Sequence, residues 1–169
     1  MNGDLGFDSV FRAGYQPVLG YCLRRTSHAV AHDATAEVFT IAWRRRDEIP
    51  DDPVPWLIGI ARRVLANQHR SERRRLHLVT RAQGARRAAP SVEADASPVH
   101  VALAGLRPTD QEIVRLAYWD GLTHQQIGEV LGISTNAVGV RLHRARATLR
   151  GELARTGDEE EDVRCPTTT

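Results

Sequence analysis

Between Thr123 and Leu149 the chain meets a set of positional demands that two short helices crossing steeply around a tight turn impose together. Thr123 is placed to cap the first helix, because a hydroxyl there accepts a hydrogen bond from an orphan amide of the first turn. Ile127 and Leu131 point inward, and Gly128 is small where the second helix must come close. Gly132 follows at a sharp turn, where a positive φ is cheap only for glycine. Ile133 plugs the corner and Ser134 caps the next helix. Val138, Leu142, Ala145 and Leu149 then fall within about 60° of one another on its inner face. An ordinary helical hairpin would satisfy some of these positions but not the glycine and cap placements together. The segment reads as a helix-turn-helix.

The outer face of the second helix carries Asn136, Val140, His143 and Arg144, with Thr135 at its start, Gly139 beside Val140, and Arg141 and Arg146 on the flanks. A helix of this kind lies in the major groove of DNA with its N-terminal residues against base edges. Asparagine pairs with adenine, a small apolar side chain packs on a thymine methyl, and arginine takes guanine or phosphate.

The rest of the chain reads as helix as well. Phe7, Val10, Phe11, Val18, Leu19, Cys22 and Leu23 recur at three- and four-residue spacing, with Tyr15 near the same stripe. Pro17 interrupts that pattern, which predicts a kink or a break with Pro17 opening the second piece. A second helix is expected from about Val30 to Asp47, burying Val38, Phe39, Ala42 and Trp43. Glu48 to Pro55, with its three prolines, reads as a loop. A third helix is expected from Trp56, with Trp56, Leu57, Ile60, Ala61, Val64 and Leu65 on one face and Arg62, His69, Arg70 and Arg73 opposite. From Gly84 to Pro98 the composition turns to Ala, Ser, Pro, Gly and scattered charge without periodicity, as in a flexible linker. Helical patterns resume at about 99–106, 109–119, 123–131 and 135–150. The fold class is therefore all-α: two small helical domains joined by a flexible linker, the C-terminal one a helix-turn-helix. The boundaries are 1–83, a linker over 84–98, 99–155, and an acidic disordered tail over 156–169.

Charge distribution says more than the formal net charge of +2. Every basic residue besides histidine is arginine; residues 1–90 hold 15 of the 23 against nine acids, whereas 156–169 hold one against five. A basic front and an acidic tail point to a polyanionic partner for the folded parts, and the planar arginine fork suits phosphate. The genome's base composition is an equally good explanation for the lack of lysine. Two cysteines, Cys22 and Cys165, have no paired spacing and suggest neither a disulfide framework nor a zinc site. His28 and His32 are four apart on a helix but lack a third ligand nearby, so no metal is expected. No apolar run approaches the roughly 18 residues a membrane span requires, and no basic segment followed by an apolar run opens the chain. A cytoplasmic protein without cofactor or membrane insertion is expected. No nucleophile-base or metal constellation is apparent, so an enzyme is not.

Three separated patterns, AHDATAEVFTIAW (31–43), PWLIGIARRVLANQHR (55–70) and GLTHQQIGEVLGISTNAVGVRLHRARATL (121–149), resemble the bacterial extracytoplasmic-function (ECF) sigma factors of the sigma-70 family, in the family's order and spacing. The resemblance spans about residues 7–153. It implies a factor that binds core RNA polymerase and directs promoter-specific initiation. It further implies that Asp33, Ala36, Glu37, Thr40 and Arg44 bind the clamp helices of the polymerase largest subunit. The loop from Glu48 to Pro55 and the helix from Trp56 would read and melt the −10 element, using Arg62, Arg63, Asn67, Arg70, Arg73, Arg74 and Arg75. The helix-turn-helix, through Thr123, Thr135, Asn136, Gly139, Val140, Arg141, His143, Arg144 and Arg146, would bind the −35 element. The polymerase flap and an anti-sigma factor are further implied partners. On periodicity alone, Asp33 caps a helix, its companions are solvated surface, and the arginine run is a solvated helix end. The family often has Asn where this chain has Arg63, Asp where it has Asn67, and Lys-Ser where it has Gly139-Val140, so promoter sequence does not carry over from relatives.

Without the resemblance two further readings stand. A stand-alone helix-turn-helix regulator would need a dimerisation element or ligand pocket that the sequence does not offer. A helical module that sequesters a partner would leave the recognition helix unused.

Overall fold

A computed structural model describes the backbone of residues 3–83 and 97–162, and the side chains of 6–75 and 97–155. Seven α-helices make up these residues: α1 (Gly3–Leu23), α2 (His28–Arg44), α3 (Pro53–Gln83), α4 (Pro98–Ala104), α5 (Pro108–Tyr118), α6 (His124–Leu131) and α7 (Thr135–Asp162). A short 3₁₀ turn, Arg46–Glu48, follows α2. Among the described residues there is no strand, and no helix is long and apolar enough to cross a membrane. Contacts divide into two compact units, one holding α1–α3 and the other centred on α4, α5 and α7.

In the first unit each helix packs on the other two. The core is built from Val18, Tyr21 and Cys22 of α1, Ala31, Ala34, Thr35, Val38, Phe39 and Ala42 of α2, and Leu57, Ile58, Ile60, Ala61, Val64 and Leu65 of α3. Thr35 is the polar member, and it is tolerated because its hydroxyl donates to the Ala31 carbonyl at 2.8 Å. Gly14 sets how closely α1 approaches α3, since a Cβ there would sit 2.3 Å from Leu57 Cδ1.

Three expectations change here. Pro17 lies inside an uninterrupted α1. It removes one backbone donor, but Gly14, Val18, Tyr21 and Cys22 on both sides of it are buried, and that packing outweighs the local penalty. The expected loop of Glu48 to Pro55 is shorter, because Pro53 and Pro55 fall in the first turn of α3. In that turn the missing amides would have had no intrahelical acceptor anyway. Trp43 is not core; it is 42% exposed, with its ring in an edge-to-face contact with Phe7 at 4.9 Å and the Arg46 guanidinium 5.6 Å from its centre.

In the second unit α7 is the long element on which α4 and α5 pack. Leu103, Leu106, Ile113, Val114, Leu116, Leu122, Ile127, Val138, Leu142 and Ala145 are buried. Proline opens both α4 and α5, where its fixed φ is already helical. Helix α7 continues to Asp162, so the first residues of the tail expected to be disordered are helical. The expected linker over 84–96 and the tail beyond 162 lie outside the described residues.

Replacing Gly14 by Val is expected to force Leu57 from its buried rotamer and to cost the first unit about 1–3 kcal/mol. Urea denaturation followed by tryptophan fluorescence checks this, with a lower midpoint at unchanged slope.

Candidate nucleic-acid interface

The turn between α6 and α7 is fixed by backbone geometry that few sequences allow. Thr123 Oγ1 accepts from the Gln126 amide at 3.3 Å while Gln126 Oε1 accepts from the Thr123 amide at 2.8 Å, a complete capping box. Gly132 takes φ +70°, and the Gly128 carbonyl accepts from both the Gly132 and Ile133 amides, at 2.8 and 3.1 Å. A Cβ on Gly128 would lie 2.7 Å from the Ile133 carbonyl oxygen, so the two helices meet at a distance only glycine permits. Ser134 Oγ then accepts from the Ala137 amide at 3.2 Å and opens α7. Gln126 was missed as the partner of Thr123, although a Thr followed three residues later by Gln is the signal for it.

This turn aims α7. Val138, Leu142 and Ala145 are buried and Leu149 is half-buried, as their spacing requires. Asn136, Val140, His143 and Arg144 are exposed and lie within about 100° of one another, opposite that stripe. Thr135, Gly139 and Arg146 form one shoulder of the exposed face; Gly139 there is half-buried, and the nearest side chain to it is His124, whose Nδ1 a Cβ would meet at an ordinary 3.7 Å. Arg141 forms the other shoulder and is not a free cation: its Nη1 lies 3.4 Å from Asp110 Oδ1 on α5. Thr123 is exposed, with its hydroxyl committed as an acceptor to the cap.

The face of α3 is built in the same way. Its last fully buried side chain among the described residues is Leu65, yet the helix runs on to Gln83. Arg62, Arg63, Asn67, Arg70, Arg73, Arg74 and Arg75 are all exposed. Arg63, Asn67, Arg70 and Arg74 share a strip about 60° wide, Arg62 and Arg73 lie together on the strip beside it, and Arg75 turns away from both. Two of these guanidinium groups are already oriented. Arg63 Nε donates to the Gly59 carbonyl at 3.2 Å, and Arg70 donates to the Ala66 carbonyl at 3.2 Å and to Asn67 Oδ1 at 2.9 Å. The structure thus brings six of the seven together on one cationic side and leaves Arg75 off it.

Asp33, Ala36, Glu37, Thr40 and Arg44 are exposed and lie within about 100° of one another on α2, opposite its buried Ala31, Thr35, Val38 and Ala42. Asp33 is not a cap, since Ser27 holds that position. Glu37 accepts from Gln68 Nε2 of α3 at 3.4 Å, which ties this strip to the cationic helix. At the exit of α2 the Arg45 fork donates to both oxygens of Glu48, holding the Glu48 carboxyl below the usual carboxylate range and raising Arg45. Arg45 also lies 5.5 Å from the Trp56 ring, so the entry to α3 is braced from the turn before it. No group of three metal-ligating side chains occurs among the described residues, and His28 and His32 simply pair their rings at 4.7 Å.

Known proteins match these same segments. Residues 10–75 match the family described as Sigma-70 region 2 and residues 97–149 that described as Sigma-70, region 4. The ECF RNA polymerase sigma factor SigL of Mycobacterium tuberculosis is 31% identical over 146 residues, covering 81% of this chain and 82% of SigL. This chain belongs to the ECF sigma factors of the sigma-70 family. YlaC, an RNA polymerase sigma factor of Bacillus subtilis, is 26% identical over 90% of this sigma factor and 95% of its own length. A Xanthomonas campestris protein described as "Probable RNA polymerase sigma factor RfaY" is 36% identical over 145 residues, and the match spans 36% of that longer protein. Two solved structures share the fold: the sigma factor RpoE bound to the anti-sigma factor NepR from Bartonella quintana (TM-score 0.65, 21% identity, covering 88% of this chain and 97% of RpoE). The second is CnrH in complex with the cytosolic domain of CnrY (TM-score 0.61, 22% identity, 90% of each chain).

Two glycines of the helix-turn-helix, Gly128 and Gly139, are expected to respond in opposite directions. Gly128→Ala drives a methyl into a backbone carbonyl and lowers the stability of the second unit by about 1–3 kcal/mol. Gly139→Ala meets no close atom and raises the stability of α7 by about 0.5–1 kcal/mol through helix propensity. Thermal unfolding of both variants beside the parent reads the two signs.

Proposed function

We propose that the two units of this sigma factor divide promoter recognition between them, with polymerase held by the outer strip of α2. Directing RNA polymerase to promoters is the work of the family to which the chain belongs. The present proposal assigns that work to residues. The unit over residues 1–83 is the polymerase- and −10-binding domain, the unit over 99–155 is the −35-binding domain, and 84–98 links them.

In this reading Asp33, Ala36, Glu37, Thr40 and Arg44 dock on the clamp helices of the largest polymerase subunit, and the second unit meets the flap. Arg62, Arg63, Asn67, Arg70, Arg73 and Arg74 track the displaced strand of the −10 element. Melting needs a cationic surface for that strand and stacking partners for unpaired bases, and Trp56, at the start of the same helix with Arg45 over its ring, is an aromatic group on that element. Arg75, turned away from the strip, reaches at most a neighbouring phosphate. On α7, Asn136, Val140, His143 and Arg144 face the base edges of the −35 element. Thr123, Thr135, Gly139, Arg141 and Arg146 border the groove, where hydroxyl and guanidinium groups meet phosphates and fix the register.

One observation carries this reading: in α2, α3 and α7 alike, most of the residues assigned to a partner occupy the helix face opposite the buried stripe, with Thr135, Gly139, Arg141 and Arg146 on the shoulders of that face in α7. The chain acts by binding, and the chemistry of initiation belongs to the polymerase. Its place is the cytoplasm, with polymerase and chromosome. Two proteins with this fold were solved with partners, RpoE with an anti-sigma factor and CnrH with the cytosolic domain of CnrY, and an anti-sigma partner is proposed for this chain as well.

Run-off transcription from fragments of the host genome, with core polymerase and with or without this protein, tests the proposal. Specific transcripts are expected only when both are present. DNA binding by the protein alone with no transcripts would support a stand-alone regulator instead. Arg144→Ala is expected to cost about 1–3 kcal/mol of upstream-element binding, whereas Arg70→Ala lowers open-complex formation with little effect on closed-complex affinity. Permanganate reactivity of melted thymines separates the two.

A further inference from the structure

Asp110 occupies the first turn of α5 with its side chain only 17% exposed, between arginines from two elements. Arg141 of α7 donates from Nη1 to Oδ1 at 3.4 Å, and Arg107, at the N-cap of α5, holds its Nε 3.7 Å from Oδ2. Beside the carboxylate opens a cleft of about 250 Å³ lined by Leu106, Arg107, Asp110, Arg141, Arg144 and Thr148. Three guanidinium groups therefore line one cleft, with Asp110 as the carboxylate among them. Phosphate is what an arginine-lined cleft of this kind accepts when nothing else balances it.

We propose that Asp110 is a positioning residue for upstream-element reading: it holds Arg141 at the shoulder of α7 and keeps this cleft from seizing DNA phosphates regardless of sequence. The proposal rests on the reading that α7 binds the upstream element. A carboxylate bonded to Arg141 limits the rotamers from which that guanidinium meets DNA. It also lowers the net charge that the cleft presents to any duplex. Phosphate contacts add affinity without sequence information. Removing the carboxylate therefore raises binding to arbitrary DNA more than binding to the correct element, and discrimination falls.

The test uses holoenzyme assembled from core polymerase and full-length protein. The probes are a promoter recovered by run-off transcription and the same promoter with its upstream element scrambled. Asp110→Asn, which keeps the shape and removes the charge, is expected to lower the ratio of the two affinities about tenfold. It is also expected to steepen the salt dependence on the scrambled probe by about one counterion. In an Arg141→Ala background the loss of discrimination should be clearly smaller, because one of the two arginines that Asp110 meets is gone. An unchanged ratio overturns the proposal. So does an equal loss in the Arg141→Ala background, or a parallel weakening on both probes, which is what a merely structural role gives. If the parent holoenzyme itself does not distinguish the probes, the assignment of α7 to the upstream element fails, and this proposal with it.

Discussion

The buried stripe of α3 is short relative to its helix, and the first unit depends on that mismatch. Leu57, Ile58, Ala61, Val64 and Leu65 are buried against α1 and α2, and beyond Leu65 no described side chain of α3 is fully buried. A helix held firmly at one end carries the other end out as a rigid rod, so Arg70, Arg73 and Arg74 stand on a surface whose orientation the core fixes. Packing and exposed charge divide along the helix as well as around it. The same economy shapes α2, whose small Ala31, Ala34 and Ala42 are buried while Asp33, Glu37, Thr40 and Arg44 stand on its outer strip.

In the second unit the comparable constraint is the contact between Gly128 and the Ile133 carbonyl. It admits no side chain, and together with the left-handed Gly132 it sets the angle at which α7 leaves the turn. That angle decides which residues of α7 face away from the unit. The ion pair from Arg141 to Asp110 then ties the exposed side of α7 to α5, so the exposed residues of α7 and their flanking cations are held from both ends.

Periodicity and turn chemistry made much of this legible in the sequence. The caps at Thr123 and Ser134, the glycine turn and the buried faces of α3 and α7 are local features, and local features can be read from neighbours in the chain. Part of what escaped was set by distant packing. The prolines were read as breaks: Pro17 is carried by burial on either side of it, and Pro53 and Pro55 begin α3 because first-turn amides lack acceptors. Trp43 has the spacing of a core residue but sits at the edge of the bundle, where Phe7 and Arg46 cover part of it. Asp110 and Arg141 are 31 residues apart, and no pattern along the chain announces a bond between them. Nor does spacing reveal that Arg63 and Arg70 are steered by carbonyls of their own helix.

The central claim is that DNA is gripped at two separate places by helix faces on two separate units. A hydroxyl-radical footprint of the holoenzyme on one of its promoters measures this most directly. The account predicts two protected tracts with a less protected spacer between them, and selective loss of the upstream tract in the Arg144→Ala holoenzyme while the downstream tract persists. A single unbroken tract, or loss of both tracts together in that variant, would contradict it.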